Sequence, residues 1–391
     1  MDLATLEQLL TAVGQEALRA ATALAPDDAT FLAAHRRLSK RYPADLTRAA
    51  LETALLRRRA VGKFSRADRM YFTREALEQA SSEPVARHRA RRFAGRGPIA
   101  DLCCGIGGDA LALAAVAPVV AVDLDPVRLR MAGLNAAAYD VADRVRLVEG
   151  DALQVDLTGV AAVFADPHRR VDGRRVVSMA DARPSLAELM ARLPRDLPLA
   201  VKLAPGLPSA EVAALPGEVE FIALDGELKE CVLWAGAFRQ TARRATLLPT
   251  GATLTADVLP LAPPPGPPRA WLHDIDAAVV RAGLTGELAR LLNAHPLDAA
   301  VACLTGDAAH DTPFTRRYAI EAVLPVDRRR IQEYLRTHGV GRIQVRRIGA
   351  SLDVAELERR LKLTGDSFRT LVLTPVDGRA QAIVCEAVAF G

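Results

Sequence analysis

A glycine-rich turn between a short strand and a helix constrains the fold of this 391-residue chain more than any other feature. Residues 98–102 (PIADL) have the pattern of a buried strand, and they lead into the turn 103–109 (CCGIGGD). An Ala- and Leu-rich helix pattern follows over 110–115, and a second apolar strand pattern over 119–123. Glycine in the first strand-to-helix turn lets the backbone approach a ligand closely at the switch point of a parallel sheet. The pattern therefore predicts a doubly wound α/β core with a ligand site at this turn.

The acids around this turn indicate the chemistry of the ligand. Dinucleotide-binding turns use three glycines to place a pyrophosphate at a helix N-terminus. This turn lacks the third glycine, and its acids Asp101 and Asp109 would repel a pyrophosphate. A ligand with a cationic amino-acid group, such as S-adenosylmethionine, suits these acids better. Asp123, at the end of the second strand, is placed to accept the ribose hydroxyls, and Asp151, after the third strand, to receive the adenine amino group. The alternative is that these residues are ordinary loop acids and turn glycines.

Six motifs spread over nearly the whole chain support a narrower comparison. They are 40–43 (KRYP), 63–64 (KF), 72–75 (FTRE), 101–109 (DLCCGIGGD), 166–170 (DPHRR) and 339–342 (GVGR). With them the chain resembles the class I S-adenosylmethionine-dependent methyltransferases, and among these the bacterial group with a C-terminal THUMP-like domain. The resemblance implies a Rossmann-like methyltransferase core and S-adenosylmethionine as the cofactor. The candidate cofactor-binding residues are Asp101, Cys103, Gly105, Gly107, Asp109, Asp123, Leu124, Asp151 and Ala152.

The order of helix and strand patterns predicts four segments. Residues 1–94 form an N-terminal helical domain, and residues 95–245 form the Rossmann-like core that binds S-adenosylmethionine. Residues 246–317 are a linker and helical segment that contains the proline-rich stretch 263–268 (PPPGPP). Residues 318–391 form a small α/β domain, which the resemblance identifies as THUMP-like.

The motif that ends the fourth predicted strand carries the candidate catalytic residues Asp166, Pro167 and His168. Nucleic-acid amino methyltransferases of similar fold have Asp or Asn, two prolines and an aromatic residue here. In them the Asp side chain and a Pro carbonyl accept hydrogen bonds from an exocyclic amine. This chain has His168 and Arg169 in place of the second proline and the aromatic residue, and both side chains can stack on a base. The alternative is that Asp166 caps the loop while Arg169 is a surface charge.

Basic residues raise the possibility of an RNA partner without requiring it. The net charge is +4, and only five of the 51 basic residues are lysines, so the arginine excess can reflect base composition. Lys202, at the end of the fifth strand, contacts a phosphate or the acceptor, or is structural. The THUMP-like resemblance implies RNA contact by C-terminal arginines such as Arg342. The arginines of 57–59 and 87–92 contact phosphate or lie on solvated helix faces.

Several other classes of protein are disfavoured by the sequence. No stretch approaches the ~20 apolar residues of a membrane helix. The five cysteines form no CxxC pair and the seven histidines have no ligand spacing, so we expect buried reduced thiols and no metal. An acid occupies the second position, where a signal peptide would have a basic residue, so we expect a cytoplasmic protein.

Together these patterns predict an enzyme that transfers a methyl group from S-adenosylmethionine to a base in RNA, either tRNA or rRNA. Two alternatives stay open. One is a methyltransferase that acts on a small molecule or a protein, and the other is a non-catalytic RNA-binding protein of the same fold. The intact pattern of Asp101, Gly105, Gly107 and Asp123 disfavours the non-catalytic alternative.

Overall fold

The computed structural model describes residues 1–167, 170–171, 174–175, 182–349, 359 and 361–386. Its contacts divide the chain into two compact units. The first comprises residues 1–217 and 231–240, and the second comprises residues 218–230 and 241–391. The four predicted domain boundaries stay predictions.

The first unit begins with helices, as the apolar spacing predicts. They are α1 (Leu3–Leu10), α2 (Ala12–Ala23), α3 (Phe31–Leu38), α4 (Ala44–Ala60), α5 (Arg74–Gln79) and α6 (Glu83–Ala90). Side chains cap several of these helices. The sequence predicts Thr73 as the N-cap of a helix, and its hydroxyl does accept a hydrogen bond from the Ala76 N–H over 3.1 Å at the start of α5. Leu6, Leu9 and Leu51 are among the fully buried residues of the helical core.

The Rossmann-like core follows with alternating strands and helices. They are β1 (Ile99–Leu102), α7 (Gly108–Ala114), β2 (Val119–Asp123), α8 (Pro126–Ala138), β3 (Val145–Glu149), β4 (Ala162–Ala165), β5 (Arg170–Val171), β6 (Arg174–Arg175), α9 (Leu186–Arg192), β7 (Leu199–Leu203), α10 (Ser209–Ala213), β8 (Glu218–Leu224) and β9 (Glu227–Ala235). Within the first unit the strand order is β9-β7-β4-β1-β2-β3. All neighbours pair in parallel except β9, which pairs antiparallel with β7 through residues 231–235. The order reverses between β1 and β4, where a doubly wound sheet binds its ligand.

The second unit contains β8, residues 227–230 of β9 and the remaining elements, although β8 and β9 follow the core strands in the sequence. The remaining elements are β10 (Arg243–Leu248), β11 (Ala252–Ala256), β12 (Trp271–Ile275), α11 (Ala277–Arg281), α12 (Thr285–Leu292), β13 (His295–Pro296), β14 (Cys303–Gly306), β15 (Thr315–Pro325), α13 (Arg328–Thr337), β16 (Val340–Arg347), β17 (Ser367–Val376) and β18 (Arg379–Glu386). β10 pairs with both β8 and β11. The other strands form a sheet of order β13-β14-β12-β15-β18-β17-β16. The sequence pattern of this region predicts strands over 319–324, 341–345, 370–373 and 382–385, and these are confirmed within β15, β16, β17 and β18. It also predicts a helix over 354–361, which lies largely outside the described residues.

One local prediction in this unit is wrong. The segment 246–317 is more than a linker with helices, because β12 and β14 lie within it and pair with each other. β12 also pairs with β15 along Trp271–Ile275, so sheet pairing at long range decides its conformation. In the described part of the chain, no helix combines the length and apolar character needed to cross a membrane.

Candidate active site

The turn after β1 is held in place by backbone hydrogen bonds and by left-handed glycines. The Cys104 N–H donates to the Val122 carbonyl, and the Gly107 N–H donates to the Cys104 carbonyl, each over 2.9 Å. Gly107 has a φ of 81°, and a Cβ there would lie 3.1 Å from the Ala132 Cβ, so glycine suits both the backbone and the packing. At Gly105, with a φ of 56°, an added Cβ would meet no atom of the described chain within 4 Å. The turn therefore leaves open space directly beside its backbone.

Asp123 connects this turn to the end of β2. Its buried carboxylate accepts hydrogen bonds from the Gly105 N–H over 2.7 Å and from the Asp125 N–H over 2.9 Å. Each carboxylate oxygen retains further acceptor capacity for a ligand hydroxyl. The next side chain, Leu124, is 70% exposed, which makes it an apolar surface beside the turn. The predicted pair Asp123 and Leu124 thus lies next to the glycine turn.

The predicted acids follow the carboxyl ends of successive strands. Asp151 lies two residues beyond β3, and its side chain accepts a hydrogen bond from the Leu153 N–H over 2.8 Å. Ala152 is buried beside it. Because β1, β2, β3 and β4 run parallel, the residues at their carboxyl ends lie along one edge of the sheet.

Asp101 is the most unusual acid of the group, because it is completely buried at the end of β1. Neither of its carboxylate oxygens has a hydrogen-bond partner within the described ranges. Burial raises the pKa of Asp101 well above its usual value, and the charges of Asp109 and Asp166 raise it further. Arg89 acts in the opposite direction. A cationic group placed here would stabilise the ionised form of Asp101.

Asp109, at the start of α7, forms a buried ion pair. Its carboxylate lies 2.5 Å from Arg89 Nη2, and the two side chains are 10% and 2% exposed. The Ser81 hydroxyl lies 3.5 Å from the second carboxylate oxygen. The Arg89 guanidinium also stacks over the Phe164 ring, 4.7 Å from its centroid. Asp109 is therefore held by the α6 region of the chain from behind the turn.

The arginine run predicts a solvated or phosphate-binding position for Arg89, and this prediction is wrong because Arg89 is buried. The signal that it missed is the spacing on α6. Val85, Ala86 and Ala90 form the buried face of this helix, and Arg89 occupies the same face four residues after Val85. Arg92 lies elsewhere, with its guanidinium carbon 4.2 Å from the centroid of the Trp234 ring.

Asp166 follows β4 and forms the second buried charge pair of this region. Lys202 Nζ, on β7, lies 2.7 Å from Asp166 Oδ2 and 3.2 Å from the backbone carbonyl oxygen of Gln79. The Lys202 side chain is only 5% exposed, whereas that of Asp166 is 21% exposed. Lys202 is thus not a surface cation. Pro167 is buried beside Asp166.

The other predicted site residues are distributed differently. His168 and Arg169 lie outside the described residues. Arg342 is exposed on β16 in the second unit. Cys103 has a φ of 61°, and burial raises the pKa of its thiol, which keeps it protonated. Among the described side chains, no group of three or more His, Cys, Asp or Glu is arranged to hold a metal ion.

Comparison with known proteins identifies the family. A protein of Mycobacterium tuberculosis, described as an uncharacterized S-adenosylmethionine-dependent methyltransferase, is similar to this chain in strains H37Rv and CDC 1551 alike. The identity is 37% over 337 residues, which cover 83% of this chain and 92% of the relative. The chain belongs to the S-adenosylmethionine-dependent methyltransferases.

Further comparisons support the fold and the domains of this methyltransferase. A crystal structure described as a methyltransferase from Porphyromonas gingivalis W83 has 20% identity and a TM-score of 0.72, and the match covers 92% of this chain and 98% of that one. Family models match residues 2–60 as a domain of unknown function, 96–190 as RNA cap guanine-N2 methyltransferase and 315–387 as THUMP domain-like. The predicted Rossmann-like core, THUMP-like domain and methyltransferase family are confirmed.

The residues around the turn fit the cofactor of this family. S-adenosylmethionine carries an ammonium group, and Asp101 offers a buried carboxylate that has no hydrogen-bond partner in the described chain. The open space at Gly105 and the exposed side chain of Leu124 adjoin the Asp123 carboxylate, which can accept ribose hydroxyls. Near this turn lie a buried carboxylate without a hydrogen-bond partner in the described chain, a carboxylate with further acceptor capacity and an exposed apolar side chain.

We expect Asp123→Asn to weaken S-adenosylmethionine binding by about 10- to 100-fold, as for the loss of hydrogen bonds to a charged group. One amide N–H would face a backbone N–H of Gly105 or Asp125, which disturbs the turn. Isothermal titration calorimetry measures the effect. Asp125→Asn is the matched control, because asparagine caps helices as well as aspartate does, and it should change affinity less than about 3-fold. Unchanged affinity in Asp123→Asn would contradict the assignment.

The raised pKa of Asp101 predicts that the affinity for S-adenosylmethionine depends on pH. At acidic pH the Asp101 carboxyl is protonated in the free methyltransferase, and binding of an ammonium group favours its ionised form. We therefore expect the Kd of S-adenosylmethionine to decrease as the pH rises through the raised pKa of Asp101, with proton release on binding. Calorimetry in two buffers of different ionisation enthalpy measures that release. Asp101→Asn should bind more weakly and lose the pH dependence, and a wild-type Kd that is independent of pH would refute the prediction.

Proposed function

We propose that this methyltransferase transfers a methyl group from S-adenosylmethionine to an exocyclic amine of a base in tRNA or rRNA. The observation that carries the proposal is the position of the Asp166 carboxylate. Its partly exposed carboxylate follows β4 and precedes Pro167, on the sheet edge that also carries the cofactor-binding turn. The matches to an RNA cap guanine-N2 methyltransferase model and to a THUMP-like model favour RNA as the acceptor.

The proposed catalytic residues are Asp166, Pro167 and His168. Bound S-adenosylmethionine supplies an activated methyl group, so positioning of the acceptor provides most of the acceleration. The Asp166 carboxylate and the Pro167 carbonyl accept hydrogen bonds from the amine and orient its lone pair. Asp166 then accepts the proton that the nitrogen loses when its bond to the methyl carbon replaces the carbon–sulfur bond, which leaves a neutral thioether.

The proposed cofactor site comprises the residues around the turn and the following strand ends. They are Asp101, Cys103, Gly105, Gly107, Asp109, Asp123, Leu124, Asp151 and Ala152. Asp109 acts through its ion pair with Arg89, which fixes the start of α7.

Exposed cations of the THUMP-like domain are the proposed RNA contacts. Arg342 lies on β16, and Arg328, Arg329 and Arg330 lie exposed in the first turn of α13. Contacts of this kind are made to phosphates, so RNA affinity should fall steeply with salt concentration. Arg169 is a further proposed RNA contact.

The experiment that tests the function measures transfer of a labelled methyl group to total RNA from a strain that lacks this gene. RNA from the intact strain is the control, because its sites are already methylated. Protein and metabolite fractions are treated in parallel. Label in RNA of the deletion strain alone is the expected result, and nuclease digestion then identifies the methylated nucleoside. Label only in the protein or metabolite fraction would overturn the RNA assignment.

A further inference from the structure

The buried ammonium group of Lys202 links three parts of the first unit. The parallel pairing of Ala165 with Val201 places Asp166, the residue after β4, beside Lys202 on β7. Lys202 Nζ donates to Asp166 Oδ2 over 2.7 Å and to the Gln79 carbonyl over 3.2 Å. Gln79 is the last residue of α5, where backbone carbonyls have no partner within the helix. The helical segment before the sheet therefore helps to fix the carboxylate that follows β4.

This arrangement leaves the two oxygens of Asp166 in different states. Oδ2 is bonded to the almost completely buried Lys202, while Oδ1 accepts no hydrogen bond from the described part of the chain. The side chain is partly exposed, so within the described part of the chain Oδ1 remains available to accept a hydrogen bond from a bound group. A lysine suits this position because its ammonium is a compact point charge that reaches two acceptors on different elements. Only five of the 51 basic residues are lysines, and this is one of them.

We propose that Lys202 is a positioning residue, which holds Asp166 through Oδ2 and the Gln79 carbonyl so that Oδ1 accepts a hydrogen bond from the acceptor amine. The proposal rests on the proposed function of Asp166 and replaces the phosphate contact predicted for Lys202. Lys202 itself touches neither the acceptor nor the cofactor. Its effect is to reduce the number of orientations that the Asp166 carboxylate adopts.

The main test is a double-mutant cycle measured as single-turnover methyl transfer at saturating S-adenosylmethionine. Lys202→Met should reduce the rate by about 10- to 100-fold, the cost of a small misplacement of a catalytic group. Its Kd for S-adenosylmethionine should stay within about 3-fold of wild type. In Asp166→Asn, Lys202 takes the amide oxygen and turns the amide N–H groups toward the amine. Without Lys202 the amide can rotate, so Asp166→Asn should cost less in the Lys202→Met background than in the wild type.

Two further variants separate positioning from stability. Lys63→Met removes another lysine that caps the end of α5, through the Leu77 carbonyl at 2.6 Å and the Glu78 carbonyl at 3.3 Å. It should reduce the rate by less than about 3-fold if the effect of Lys202 acts through Asp166. Lys202→Gln keeps a donor on a side chain that is one bond shorter, and it should also slow methyl transfer while the protein stays folded. Independent effects of Lys202 and Asp166, or a wild-type rate in Lys202→Gln, would overturn the proposal.

Crystal structures of the wild type and of Lys202→Met test the positioning without any acceptor. We expect the Asp166 carboxylate to move or to adopt several orientations once the ammonium is gone, and an unchanged Asp166 would overturn the proposal. The kinetic cycle uses whichever fraction the wild-type protein labels. Failure of the RNA assignment therefore appears as wild-type label outside RNA, whereas failure of the positioning role appears as an unmoved Asp166 or as independent effects.

Discussion

Asp166→Asn is expected to reduce methyl transfer by about 100- to 1,000-fold, comparable to the loss of one preorganised hydrogen-bonding group in other active sites. The reason is that one oxygen of the carboxylate, Oδ2, already accepts a hydrogen bond from Lys202. Lys202 can only donate, so it takes the amide oxygen and leaves the amide nitrogen to face the acceptor amine. The amide N–H of the asparagine and the N–H of the acceptor amine are then two hydrogen-bond donors that face each other. Single-turnover transfer to the acceptor identified by labelling measures the loss.

Asparagine is preferred to alanine here because alanine would leave Lys202 buried without its anion, and a folding defect would then mask the catalytic one. Asp196→Ala serves as a control, because Asp196 is an exposed aspartate of the same unit. S-adenosylmethionine affinity of Asp166→Asn should stay within about 3-fold of wild type. A rate close to that of wild type would remove Asp166 from the catalytic residues.

The second large effect is on folding. Arg89→Met is expected to lower the free energy of unfolding by about 3–5 kcal/mol, because it leaves the buried Asp109 carboxylate without its cation. The stacking of Arg89 on Phe164 is lost as well. Urea denaturation of the full chain measures the change.

Two variants make this folding prediction specific. Arg48→Met breaks an exposed ion pair with Asp45, and we expect its effect to be far smaller than that of Arg89→Met. Arg89→Met combined with Asp109→Leu removes both buried charges and should recover much of the lost stability, since paired charges can be replaced by apolar residues of similar volume. Similar losses in Arg89→Met and Arg48→Met would show that the buried pair has no special role.

The positions of the acids could be predicted from sequence, whereas their partners could not. Alternating strand and helix patterns place Asp123, Asp151 and Asp166 at one edge of the sheet, because parallel strands end together. The pairs of Asp109 with Arg89 and of Asp166 with Lys202 depend on how α6 and β7 pack in three dimensions. Only its place on the apolar face of α6 distinguishes the buried Arg89 from the other arginines of the run 87–92.

The wrong prediction for the segment around β12 has a different cause. Residues 271–275 (WLHDI) are too short to show a decisive period, and they are followed by the helices α11 and α12. Their extended conformation comes from pairing with β14 and β15, which lie later in the chain. Strand formation that depends on distant partners is not encoded in the local sequence.

Two contacts decide where this enzyme can be truncated. They are the ion pair of Arg89 with Asp109 and the hydrogen bond from Lys202 to the Gln79 carbonyl. A boundary at residue 94 matches the change from helices to alternating strands, and the matched RNA cap guanine-N2 methyltransferase model begins at residue 96. A fragment that started there would keep the strands on both sides of the glycine turn. It would lose Arg89, the counter-charge of Asp109, and the Gln79 carbonyl, one acceptor of Lys202. The smallest piece that preserves the electrostatics of the active site therefore starts upstream of α5, within a region that the order of secondary structure assigns to another domain.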